Sequence, residues 1–105
     1  MKREKRIEEM EMIFDESRII IDELNKAINK YKNNENRLYK LFNYYESTRW
    51  LNDFEAYEKG KIAKDIKVGI LSEDAIYDLL IEHSDLLKDL AKIITRALEE
   101  KIWVK

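Results

Sequence analysis

The chain has 105 residues, 45% of them hydrophobic and 40% charged, with two glycines, no proline and no cysteine. One domain of this length buries a modest core. The absence of thiols excludes a disulfide framework and thiolate chemistry. A formal net charge of −2 is unlike the large basic excess of a protein built to live on phosphate backbones. The high charge content, spread among Leu and Ile, describes helices with solvated outer faces.

The opening Met1–Arg6 is basic, but it runs into Glu8, Glu9 and Glu11 rather than an apolar stretch, so it does not read as a secretion signal. With Ile7 at position a of a heptad, the a and d positions through residue 31 hold Ile7, Met10, Phe14, Ser17, Ile21, Leu24, Ile28 and Tyr31. Ile13, Ile20 and Ala27 at g widen the stripe beyond a two-stranded seam. Met12 and Ile19 lie off it, one heptad apart, and are taken as candidates for self-association. Asn33–Asn36 offers a turn, yet Leu38, Phe42 and Tyr45 keep the same phase, so one helix from about residue 5 to 46 is expected. Such a helix is about 60 Å long, awkward for a compact monomer, which points to a homodimer using this helix.

Ser47 and Thr48 are candidate caps for a short helix ending at Gly60. From Lys61 to Leu71 the alternation of Ile62, Ile66, Val68 and Ile70 is strand-like but has no second strand to pair with, and predicts an extended connector. Ser72 then caps a final helix with Glu73 and Asp74 in its first turn and an inner face from Ile76 through His83 and Leu90 to Ala97. The expected fold is all-α: a single helical domain over 1–105, a small bundle of two long antiparallel helices with a short helix and an extended connector between them.

The stretch Tyr44-Tyr45-Glu46-Ser47-Thr48-Arg49-Trp50, followed by Gly69-Ile70-Leu71-Ser72-Glu73-Asp74-Ala75-Ile76-Tyr77, resembles a small bacterial family, domain of unknown function 4298. The likeness is specific over residues 44–80 and generic in the flanking helices. Relatives tend to carry proline where Ala63 stands and arginine where Val68 stands. The resemblance implies the fold and no activity.

No metal site or cofactor is expected. His83 is the only histidine, Leu80 stands three residues before it where a di-iron motif needs glutamate, and the Asp53–Lys64 stretch lacks the glycine and final glutamate of a calcium loop. On an apolar face, His83 reads as a packed core residue. Ser84 beside it points about 100° away and forms no nucleophile–base pair. Acid–base and nucleophilic groups converge nowhere, so no enzyme is expected.

Seven of the eleven aromatic residues fall between Tyr39 and Tyr57. Trp50 and Phe54, at i and i+4, are expected to be buried against the long helices. Tyr44, Arg49, Tyr57, Lys61 and Lys64 are the candidate partner-binding surface, with Tyr44 and Tyr57 expected to be exposed. The function expected is a non-catalytic, cytoplasmic helical protein-interaction module away from the membrane. The alternative is a nucleic-acid-associated regulator using the mildly basic centre around Arg37, Lys40, Arg49, Lys59, Lys61, Lys64 and Lys67.

Overall fold

The computed structural model describes residues 1–100 and is all-α: α1 spans Lys2–Tyr45, α2 Thr48–Glu58 and α3 Ala75–Glu99. Two long helices thus flank a short one and an irregular connector, as the periodicities require. The terminal Lys101–Lys105 lies outside the described residues. α1 runs unbroken through Asn33–Asn36, because the apolar phase continues and neither glycine nor proline interrupts it.

The chain divides into two units, Met1–Tyr39 and Lys40 onward. The first is helix alone. An i,i+4 ion pair, Lys26 Nζ to Asp22 Oδ2 at 2.9 Å, lies on its exposed side. The Arg18 guanidinium stands 5.6 Å from the Phe14 ring centroid, a cation–π contact one turn along.

The second unit holds the core, and it is small. Among the described residues only Leu71 and Ile76 are fully buried, at 5% and 2% exposure. Around them Leu41, Phe42, Tyr45, Trp50, Phe54 and Leu80 are half-buried. This cluster sits where the connector, bearing a single 3₁₀ turn at Gly69–Leu71, meets both α2 and the start of α3.

Each helix end shows why the chain turns there. α2 closes on a left-handed glycine, Gly60 at φ +70°, with the Gly60 N–H donating to Tyr57 O at 3.0 Å and the Lys61 N–H to Ala56 O at 2.9 Å. That pair of bonds is the Schellman pattern. At the start of α2, Ser47 has the extended backbone of a cap, but its hydroxyl donates backward to Tyr44 O at 2.6 Å and caps nothing. The hydroxyl is drawn to the freed carbonyls of α1, which α2 follows after two residues. Ser72 does accept the Ala75 N–H at 3.2 Å, three residues on, while α3 proper begins at Ala75.

The Lys61–Leu71 connector departs from the extended form expected of it. Ile66 N–H donates to Ala63 O at 3.2 Å and Leu71 N–H to Val68 O at 2.9 Å, so the segment folds into successive turns. With no neighbouring strand, backbone groups satisfied locally are the lower-energy solution.

Candidate functional site

The aromatic corner in the second unit is organised by hydrogen bonds. Trp50 stacks on Phe54 with centroids 5.3 Å apart and planes 12° apart, and Tyr45 meets Trp50 edge-on at 5.2 Å. The Trp50 indole Nε1–H donates to the Ile70 carbonyl at 2.9 Å. Trp50 and Phe54 do share a face, but both are only half-buried: Trp50 is covered by Phe54, by Tyr45 at the end of α1 and by the connector at Ile70. His83 takes its expected place on the inner face of α3, its ring 5.6 Å from that of Phe42.

Tyr44 is a correction to the expected surface. It is half-buried, and its hydroxyl donates to Asp53 Oδ2 at 2.7 Å, tying the end of α1 to α2. Burial, then the bond to Asp53, push its phenol up to about 12. Asp53, nine residues on, is considered in the sequence only as the start of a calcium-loop-length stretch; an acidic residue facing a tyrosine across a two-residue helix break is the signal for this bond.

The remaining candidates are exposed. Tyr57, Gly60, Ile62, Ala63, Lys64, Ile66 and Val68 line one cleft of about 340 Å³, so Tyr57 and Lys64 are brought together. Arg49 on α2 and Lys61 after it are exposed and are not in that lining. The apolar members Ile62, Ile66 and Val68 belong to the connector, where their alternation gives no sign of a cleft.

The first unit carries a second surface. Ile7, Met10, Phe14, Ile21, Leu24 and Ile28, the a and d residues of the stripe, are all between 41% and 66% exposed. Met12 and Ile19 are exposed too, at 62% and 59%. At about 100° per residue they lie roughly 160° around the helix from the stripe, so one pairwise contact does not cover both. Farther along the same unit Tyr39 donates to Glu35 Oε2 at 3.3 Å, and a hydrogen bond with Tyr31 is the main cause lifting the Tyr39 phenol to about 12. On α3, Leu86, Leu87, Leu90, Ile93 and Ile94 form another open apolar row.

Among the described residues no three His, Cys, Asp or Glu side chains are grouped to hold a metal ion, and no helix is long and apolar enough to cross a membrane. No curated protein and no solved structure matches the chain. The family model described as a domain of unknown function (DUF4298) matches residues 7–93, which include most of α1, the aromatic corner, the connector and most of α3. The chain therefore belongs to the DUF4298 family.

Proposed function

We propose that the protein is a non-catalytic helical interaction module that binds a partner protein through the open stripe of α1. The observation that carries this reading is the exposure of every large a and d side chain from Ile7 to Ile28. Apolar stripes at this spacing are ordinarily covered. A contiguous open patch of this kind is the mark of an association surface, and a second amphipathic helix is its natural complement. The proposal includes a cytoplasmic location, with which a chain that has no cysteine is compatible.

A double substitution, Ile21→Asp with Leu24→Asp, tests it. Both side chains are exposed and lie outside the second unit, so its melting stays close to wild type while association through α1 is lost. Retention of full association by this variant overturns the reading.

The nucleic-acid alternative is supported by the exposure of Arg49, Lys61 and Lys64 and by Lys64 lining one cleft with Tyr57. Phosphate binding through these residues predicts an affinity for single strands that falls steeply with salt.

A further inference from the structure

The stripe of α1 is built to be covered, and the charges along the same helix say what covers it. Between Glu8 and Glu23 there are seven acidic residues and one basic residue, Arg18. From Leu24 to Tyr39 the balance reverses, with Lys26, Lys30, Lys32 and Arg37 against Glu35 alone. The apolar stripe crosses this boundary without interruption.

We propose that the occupant of the stripe is a second copy of this chain, lying antiparallel, so that the acidic half of one α1 faces the basic half of the other. The proposal rests on the interaction-module reading above and gives its partner. Two helices packed parallel set like-charged halves side by side at a spacing of about 10 Å, comparable to the screening length at physiological salt. Antiparallel packing replaces both repulsions with attractions and also opposes the two helix dipoles.

The flanks agree with this orientation. Glu11 and Lys32 occupy the same heptad position beside the stripe, and equivalent flanks face each other across an antiparallel pair. Glu11 of one copy thus approaches Lys32 of the other.

Area is sufficient. With Ile13 and Ile20 the stripe has eight large apolar side chains, each roughly half open. Each still offers on the order of 80–100 Å² to cover, about 640–800 Å² per copy, the scale of one side of a standard interface. A single helix with no core of its own is marginal in water, so both copies gain from the cover.

Sedimentation of the full chain and pulsed dipolar distances between spin labels test the proposal together. Glu8→Cys and Glu23→Cys place single labels on the outer side of α1 in a chain with no other cysteine. The expected result is a dimer that weakens several-fold from low to high salt, with the Glu8 labels at least about 10 Å farther apart than the Glu23 labels. Equal distances at the two sites, or a dimer that tightens with salt, overturn the antiparallel arrangement. A mass of 12.7 kDa at every concentration to about 100 µM, with helix content retained, overturns the second copy as occupant. The interaction-module reading then stands or falls separately, on whether Ile21→Asp with Leu24→Asp changes capture of a different protein.

Discussion

The indole of Trp50 reaches twenty residues along the chain to donate to the carbonyl of Ile70 at 2.9 Å. This single bond ties α2 to the connector just before Leu71 enters the core. Trp50→Phe keeps a ring against Phe54 but removes the donor, and the expected cost is about 0.5–1.5 kcal/mol. Urea denaturation followed by circular dichroism measures it, and an unchanged midpoint contradicts the role given to the bond.

Phe54→Ala removes the lower ring of the Trp50 stack. A fully buried phenylalanine truncated to alanine loses about 3–5 kcal/mol, but this ring is half-exposed and the expected loss is about 1–3 kcal/mol. A loss above that range indicates that the corner is covered more completely in solution.

Tyr44 makes stability depend on alkaline pH. Its phenol is raised to about 12 in the folded chain, against about 10 when unfolded. Between those values the folded state keeps a proton that the unfolded state has released. The stabilisation is therefore complete below about pH 10 and is lost as pH rises towards 12. Tyr39 is lifted to about 12 as well, so absorbance titration near the phenolate band shows two late tyrosines. Tyr44→Phe leaves one of them and flattens the loss of stability over that window.

Gly60→Ala tests the turn after α2. No atom lies within 4 Å of the place a Cβ would take, so the penalty is that of the left-handed backbone alone, about 1–2 kcal/mol. A melting temperature equal to wild type contradicts it.

The helices and their phase were legible in the sequence because they rest on spacing. The a and d residues from Ile7 to Tyr45 predicted one uninterrupted α1, and the run from Ile76 to Ala97 predicted α3. What spacing did not reveal lies where local bonds compete. Ser47 has the residue type and backbone of a cap, yet its hydroxyl goes to Tyr44 O. Ile62, Ile66, Val68 and Ile70 alternate like a strand, yet backbone turns satisfy them more cheaply than an unpaired extended chain. Tyr44 was expected at the surface because a tyrosine keeps a polar tip, and Asp53 supplies the partner that lets it sink. The stripe itself was legible, and its openness was not, since an apolar period shows that a face will be covered and not by which molecule.

The most direct measurement of the central claim is hydrogen exchange of the α1 backbone amides from Ile7 to Ile28 over a range of protein concentration. If a second copy covers the stripe, protection of these amides rises with concentration while that around Leu71 and Ile76 stays constant. Exchange that is fast in α1 and the same at every concentration contradicts the account.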